Sequence, residues 1–159
     1  MFIAEYIADF ASRAVGSPAL IHNGRAISYR AFAGAIARAS RELAPHLPPR
    51  PATVGITIHD LADCWVATLA LQALGYTTIC AASLEVLISL EVENLSGIVV
   101  SAAEGRVREV QDAARVYAMD KPVYEEVQRL DMPALAETNV DSGHILYTSG
   151  TTGTYKKVF

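Results

Sequence analysis

The sequence has 159 residues, of which 52% are hydrophobic and 19% are charged, and its formal net charge is −4. This length and this apolar content predict one folded domain with a core, and they exclude a disordered chain. The acidic balance and the scattered basic residues are unsuited to neutralising a run of phosphates, so we expect no nucleic-acid partner.

The N-terminal segment FIAEYIADFASRA has the pattern of an amphipathic helix. Its apolar face is predicted to carry Phe2, Tyr6 or Ile7, and Phe10. The segment contains acidic residues and lacks the basic start and the continuous apolar run of a signal peptide. No stretch of the chain is long and apolar enough to span a membrane. We therefore expect a soluble, cytoplasmic protein without a membrane partner.

The next segment predicts a hairpin followed by a helix. Asn23 and Gly24 lie between two short β-forming runs, and both residues tolerate the positive φ that a two-residue hairpin turn requires. Ser28 is placed to cap the helix that follows. The residues predicted to share the buried face of this helix are Phe32, Ile36, Ala39 and Leu43.

A strand, a helix and a second strand follow. TVGITI has the β-branched content of a strand, and DLADCWVATLALQALG predicts a helix that Asp60 caps and Gly75 ends. This helix is apolar nearly all the way round, so we expect it to be largely buried, with Trp65 in the core. TTICAA predicts the next strand.

The second half of the chain predicts further alternation. GIVVSA is interpreted as a buried strand, and EGRVREVQDAARVYAM as a helix with Val107, Val110, Ala114 and Tyr117 on one face. ASLEVLISLEVENL is either a helix or a strand, with helix favoured, and KPVYEEV is a possible short strand. HILYTS predicts the last strand. This order predicts an α/β fold with a largely parallel sheet flanked by helices and a small N-terminal β-hairpin.

The cysteines and histidines give no sign of a metal or catalytic site. Cys64 and Cys80 lie in apolar segments, where a cysteine is usually a small buried hydrophobe. The four histidines lack a second ligand at a metal-binding spacing, and a structural or solvated role is favoured for His22, His46, His59 and His144. We assign no metal ligand and no catalytic residue.

The segment ILYTSGTTGTYKK is the most informative part of the sequence. Its threonines and serine offer hydroxyl donors, its glycines let backbone N–H groups approach an anion, and Lys156 adds a positive charge. Such a loop after a sheet strand is typical of a phosphate-binding site. A solvated linker is the alternative. The Walker-type phosphate loop is excluded, because Tyr155 stands where that loop has glycine directly before lysine.

YTSGTTGTYKK closely resembles the phosphate-binding signature of the adenylate-forming enzymes, which include acyl-CoA synthetases, luciferases and the adenylation domains of nonribosomal peptide synthetases. Two upstream segments, ISYRAFAGAIARASREL and VGITIHDLADCWVATLALQALGYTTICAAS, also resemble that family in order along the chain. The resemblance implies the N-terminal subdomain of the adenylate-forming fold. It also implies that residues 1–159 are the N-terminal part of an AMP-binding domain, ending just after the phosphate loop.

The resemblance implies a ligase that joins a carboxylic acid to AMP from ATP, with Mg²⁺ on the phosphates, and then passes the acyl group to a thiol of coenzyme A or a carrier protein. The implied ATP phosphate-binding residues are Thr148, Ser149, Gly150, Thr151, Thr152, Gly153 and Lys156. Two positions depart from the family pattern, because Tyr155 stands in place of proline and Lys157 in place of glycine.

The family's acid pocket, adenine-binding residues and C-terminal domain with its catalytic lysine lie beyond the segments that this sequence matches. The isolated chain is therefore expected to be inactive and to self-associate through apolar surface that the missing C-terminal portion would cover. The loop is expected to be poorly ordered, with no strand after it. The alternative is a stand-alone, non-catalytic binding or interaction module with the same fold.

Overall fold

The computed structural model describes residues 3–14, 16–104, 115–130, 142–149 and 155–158. Strands and helices alternate through these ranges, as the sequence pattern predicts. The elements are α1 (Ile3–Arg13), β1 (Pro18–His22), β2 (Arg25–Ser28), α2 (Tyr29–Leu43), β3 (Thr53–Ile56), α3 (Leu61–Ala73), β4 (Thr77–Cys80), α4 (Leu84–Ser89), β5 (Leu95–Ser101), β6 (Arg115–Met119), β7 (His144–Ser149) and β8 (Tyr155–Val158). None of the helices in the described ranges combines the length and the apolar character that crossing a bilayer requires.

Six of the strands form one sheet in the order β6-β5-β3-β4-β7-β8. Its first five strands run parallel, and β8 pairs antiparallel with β7. TVGITI and GIVVSA are direct neighbours in this sheet, since β3 pairs with β5. The predicted α/β class with a largely parallel sheet is confirmed.

Helices cover both faces of the sheet. On one face, α1, α2 and α3 pack over Val54, Ile56 and Val99. On the other face, α4 places Leu87 against Ile79 and Ile98. Burial on both faces explains why all four residues of β3 are buried and why β3 and β4 lack a strict alternation of apolar and polar residues.

The predicted N-terminal hairpin is confirmed. β1 and β2 pair antiparallel as a separate two-stranded sheet, with His22 opposite Arg25. Asn23 has φ 49° and Gly24 has φ 75°. Positive φ at both central residues is the requirement of a type I′ turn, whose twist matches that of the flanking strands.

Both predicted helix caps are confirmed. The Ser28 hydroxyl accepts a hydrogen bond from the Ala31 N–H at the start of α2. The Asp60 carboxylate accepts hydrogen bonds from the N–H groups of Ala62 and Asp63 at the start of α3. These side chains satisfy backbone donors that have no partner within the helix.

Two predictions about side-chain burial are wrong in part. On α1 the predicted alternative Ile7 is buried together with Ala4 and Ala11, whereas Tyr6 and Phe10 are about half exposed and Phe2 lies outside the described residues. On α3 the side chain of Trp65 is 54% exposed, so it is not a core residue. The helix α3 is therefore buried on the side that faces the sheet, and it leaves some apolar side chains exposed on its outer side.

The predicted helix at 104–119 is wrong in its last part. Residues 115–119 form β6, which pairs parallel with β5 from Gly97 opposite Arg115 to Ser101 opposite Met119. Tyr117, assigned to a helix face, lies instead on this edge strand. The other residues of that face, Val107, Val110 and Ala114, lie outside the described residues. Pairing with β5 is a tertiary interaction that overrides the helical spacing.

The possible strand KPVYEEV is also wrong, because this segment is irregular. It follows the surface of α2 and α3 through side-chain contacts. The Tyr124 hydroxyl donates a hydrogen bond to Asp63 Oδ1 at 2.7 Å, and Arg38 hydrogen-bonds the carbonyl of Val123. For the segment 82–95 the prediction favoured a helix over a strand, and this segment contains the short helix α4.

Candidate phosphate-binding site

The strand that precedes the glycine loop is anchored in the parallel sheet. β7 pairs with β4 through Thr78 opposite His144 and Ile79 opposite Ile145. The Thr78 N–H donates to the carbonyl of Gly143 at 2.9 Å, and Ile145 is buried. β7 thus brings the chain to the carboxyl edge of the sheet, where open parallel α/β sheets bind their ligands.

A second antiparallel hairpin surrounds the loop. β8 returns along β7, with Thr148 opposite Lys156 and Ser149 opposite Tyr155. Residues directly opposite in an antiparallel pair have Cα atoms about 4.5–5.5 Å apart. The backbones of three predicted phosphate-binding residues, Thr148, Ser149 and Lys156, therefore come together at the base of one loop.

The other four predicted residues, Gly150, Thr151, Thr152 and Gly153, lie outside the described residues. The prediction that this loop is poorly ordered lies outside them too. The expectation that no strand follows the loop is wrong, since β8 follows it. The pairing of β7 with β8 fixes where the loop begins and where it ends.

The two departures from the family signature fall within β8. Tyr155 opens this strand and pairs with Ser149, and Lys157 pairs with Tyr147. Proline has no N–H and is confined to strand edges and strand starts, whereas tyrosine carries an N–H and suits a strand. Both substitutions are therefore compatible with a β-hairpin here.

Two of the four histidines hold neighbouring elements together. His144 Nδ1 lies 2.8 Å from the Thr78 hydroxyl, between β7 and β4. His22 Nε2 lies 2.9 Å from Asp60 Oδ2, between the first hairpin and α3. Burial raises the pKa of the Asp60 carboxyl, but the Asp63 N–H and His22 together outweigh it, so this pKa lies below its usual range.

An apolar groove of about 360 Å³ lies between α1, the first hairpin and α3. Its walls include Ile7, Leu20, Phe32, Leu61 and Trp65. Its described walls are mostly apolar, and apolar walls do not attract an anion. The groove therefore lacks the character of a phosphate site.

One close arrangement has no sequence signal. Cys64 on α3 and Cys80 on β4 are both free, and their sulfur atoms lie 3.5 Å apart. They are sixteen positions apart in the sequence, without the spacing of a known metal or redox motif. Only the return of the chain through α3 brings them together.

No family model matches this sequence, and a search of curated proteins found no match. Solved structures do match it. The Klebsiella oxytoca NpsA N-terminal subdomain in complex with 3-hydroxyanthranilyl-AMSN is 19% identical, with TM-score 0.68. The o-succinylbenzoate CoA synthetase MenE of Bacillus subtilis, in complex with the acyl-adenylate intermediate OSB-AMP, is 22% identical, with TM-score 0.69. The nonribosomal peptide synthetase FmoA3, in its α-methyl-L-serine-AMP bound form, is 16% identical, with TM-score 0.72.

These matches include nearly all of this chain but only part of each neighbour. They cover 99%, 96% and 99% of this chain, and they cover 39% of the NpsA chain, 32% of the MenE chain and 18% of the FmoA3 chain. The neighbours are adenylate-forming enzymes, as the signature in the sequence implies. The parallel sheet, its flanking helices and the small hairpin thus have the fold of the N-terminal subdomain of the adenylate-forming enzymes.

Proposed function

We propose that this chain is the N-terminal part of an ATP-dependent ligase that activates a carboxylic acid as an acyl-adenylate. The observation that carries the proposal is the position of YTSGTTG, whose first three residues end the anchored strand β7 at the carboxyl edge of a sheet with this fold. Structural neighbours that hold acyl-adenylates or their analogues support the same chemistry.

In the proposed reaction, a carboxylate oxygen attacks the α-phosphorus of ATP. The bond between the α-phosphorus and the oxygen that bridges to the β-phosphorus breaks. Pyrophosphate leaves with the electron pair of that bond, so it carries the developing negative charge. A thiol of coenzyme A or of a carrier protein then attacks the acyl carbon, and AMP leaves. The proposal assigns the substrate to the class of carboxylic acids.

The proposed role of the loop is to hold the β- and γ-phosphates while charge grows on the pyrophosphate. Backbone N–H groups and hydroxyls from Thr148 to Gly153 supply donors, and Lys156 supplies a positive charge. Preorganised donors of this kind stabilise developing charge, and removing one costs roughly 10²–10³-fold in rate. The hairpin supports this role, because it fixes both ends of the loop.

Mg²⁺ is proposed only as an ion that is bound by the ATP phosphates. In the described ranges, no group of three or more His, Cys, Asp or Glu side chains could hold a metal ion. These residues thus do not fit a protein-held magnesium site, and no step is assigned to the ion. Magnesium commonly keeps substrate phosphates among its ligands, which agrees with this limited role.

The remaining parts of the reaction need residues that this chain does not supply in the proposed scheme. Proximity and orientation of the reactants account for about 7–11 kcal/mol of a barrier, and the loop alone orients only the leaving group. We therefore propose that the isolated chain forms no adenylate. The acid pocket, the thiol site and the catalytic lysine are assigned to the further length that the neighbours possess.

The test is carboxylate-dependent exchange between ATP and pyrophosphate, measured for this chain and for any longer product of the same reading frame. The longer product is expected to catalyse exchange, and Lys156→Ala is expected to reduce it about 100-fold. Lys157→Ala is the matched control, since it removes a neighbouring lysine outside the predicted phosphate set. If the longer product with Lys156→Ala catalyses exchange at the wild-type rate, the role assigned to the loop is wrong.

A second candidate is a non-catalytic module with the same fold. The observation that favours it is the pair of departures from the signature, Tyr155 and Lys157, which both lie in β8. This candidate predicts that no product of the reading frame catalyses exchange with any carboxylic acid tested. The accompanying variant carries Tyr155→Pro and Lys157→Gly. A gain of pyrophosphate binding over wild type would show that these two positions account for the lost phosphate binding.

A further inference from the structure

The two cysteines form a close pair at the carboxyl edge of the parallel sheet. Cys64 lies in the first turn of α3, which begins after the carboxyl end of β3, and Cys80 is the last residue of β4. The Cys64 thiol donates a weak hydrogen bond to the Cys80 sulfur over 3.5 Å. Both side chains are half-buried and neither is in a disulfide.

The surroundings of Cys80 are polar although its strand is apolar. The Thr68 hydroxyl lies 3.4 Å from the Cys80 sulfur, one turn along α3 from Cys64. His144 on the neighbouring strand β7 also helps to lower the pKa of Cys80. The Cys64 thiol donates to this sulfur, and the Thr68 hydroxyl adds a weaker contact, because its proton is shared with the Cys64 carbonyl at 2.8 Å. A negative charge on Cys80 is therefore stabilised by its surroundings.

The two sulfurs are therefore not equivalent. The hydrogen bond from Cys64, helped by His144 and Thr68, outweighs burial and lowers the pKa of Cys80 below its usual range. The same hydrogen bond and burial raise the pKa of Cys64. A thiolate beside a protonated partner thiol is the arrangement of an oxidation-sensitive cysteine with its resolving cysteine.

We propose that Cys64 and Cys80 are a peroxide-sensitive dithiol that closes reversibly to a disulfide between α3 and β4. An S–S bond is about 2.05 Å long, so the sulfurs must approach by about 1.5 Å from their present separation. The proposal concerns a modification site that is independent of the proposed ligase activity.

The oxidant is a peroxide, and the steps balance for hydrogen peroxide. The Cys80 thiolate attacks one oxygen, the O–O bond breaks, and the departing hydroxide takes up the proton that Cys80 had released. Cys80 is then a sulfenic acid, oxidised by two electrons. The Cys64 sulfur attacks the Cys80 sulfur, the S–S bond forms, the S–O bond breaks, and hydroxide leaves as water with the Cys64 proton.

The test uses the full 159-residue chain with a chelator present to exclude metal effects. The protein is treated with hydrogen peroxide, quenched with N-ethylmaleimide, and analysed by intact mass and by peptide mapping without reductant. The expected result is the loss of both alkylation sites, a peptide that links Cys64 to Cys80, and full recovery with dithiothreitol. Two thiols that both stay alkylatable, or a link only between different chains, would overturn the proposal.

Two variants separate the roles of the sulfurs. Cys64→Ser is expected to keep peroxide consumption at Cys80, trapped by dimedone as sulfenic acid, with no intramolecular link. Cys80→Ser is expected to slow thiol oxidation about tenfold or more at neutral pH, because the remaining thiol is mostly protonated. Circular dichroism checks that each variant is folded. Equal oxidation rates in the folded wild type, in both variants and in the urea-unfolded chain would also overturn the proposal.

Discussion

The two β-hairpins of this chain serve different purposes, and the difference lies in their turns. The first hairpin closes between His22 and Arg25 with only Asn23 and Gly24 between the strands. The second closes between Ser149 and Tyr155 around the segment 150–154. A two-residue turn uses its backbone to connect the strands, whereas a longer loop has N–H groups that the ladder does not need.

The hairpins also differ in what they attach to. The first is a separate two-stranded sheet, whereas the second extends the six-stranded sheet through the pairing of β7 with β4. Spare backbone donors on a rigid support, rich in hydroxyls, are what an anion site needs. We infer that loop length and attachment, more than the presence of a hairpin, mark the second one as the candidate site.

The strongest test of this comparison is to give the second hairpin the turn of the first. Replacing residues 150–154 by Asn-Gly keeps the pair of Ser149 with Tyr155 and removes four of the seven predicted phosphate-binding residues, namely Gly150, Thr151, Thr152 and Gly153. We expect pyrophosphate binding, measured by calorimetry, to fall at least tenfold, and exchange by a longer product to fall roughly 10²-fold or more. Far-ultraviolet circular dichroism should stay unchanged. Binding that survives the replacement would place the phosphate site elsewhere.

A second test addresses the apolar groove beside the first hairpin. Exposed apolar surface of this kind marks an interaction site, and self-association of the isolated chain stays a prediction. Trp65 lines the groove and is 54% exposed, so Trp65→Ser is expected to weaken any dimer by roughly 2 kcal/mol, the size of an interface hot spot.

The control for this test is Ile88→Ser, because Ile88 is similarly exposed but lies on α4, across the sheet from the groove. Sedimentation velocity over a wide concentration range measures both variants. A wild-type chain that stays monomeric throughout would contradict the prediction. Equal weakening by both variants would place the contact surface away from the groove.

The stability of the tight turn at Asn23 and Gly24 should fall when a single methyl group is added at Gly24. Gly24 has φ 75°, and no atom lies within 4 Å of the position where a Cβ would stand. Gly24→Ala therefore tests backbone conformation without steric overlap, and we expect a loss of about 1–2 kcal/mol in the free energy of unfolding. Gly143→Ala, which is equally uncrowded but has no positive φ, is the matched control. Urea denaturation that shows equal losses would argue against the turn assignment.

The sequence predicts features of this fold that depend on neighbouring residues. The caps Ser28 and Asp60 and the turn at Asn23 follow local rules, and they are confirmed. The glycine loop is visible as a motif, but its setting in a hairpin is not, because the pairing of Thr148 with Lys156 depends on β8.

The features that sequence analysis missed are set by packing between distant segments. The strand at 115–119 forms because β5 offers a free edge, and helical spacing gives no sign of that edge. The exposure of Trp65 depends on which side of α3 faces the sheet. The approach of Cys64 to Cys80 depends on which side of α3 packs against β4, and composition and spacing do not encode that side.

The smallest expected effect concerns the link between the first hairpin and α3. Asp60 caps α3 and contacts His22, so Asp60→Ala should lower the free energy of unfolding by about 1 kcal/mol at pH 7. The pKa of Asp60 is lowered in the folded state, so its ionised form stabilises the fold above the unfolded pKa of about 3.9. This stabilisation is lost as the pH falls through the folded pKa, and wild type and Asp60→Ala should converge there. Asp60→Asn keeps a capping side chain without charge, so its cost relative to wild type should be smaller than that of Asp60→Ala and should shrink as the pH falls. Urea denaturation from pH 7 to pH 3 measures all three proteins, and a gap between wild type and Asp60→Ala that widens on acidification would contradict the assigned role.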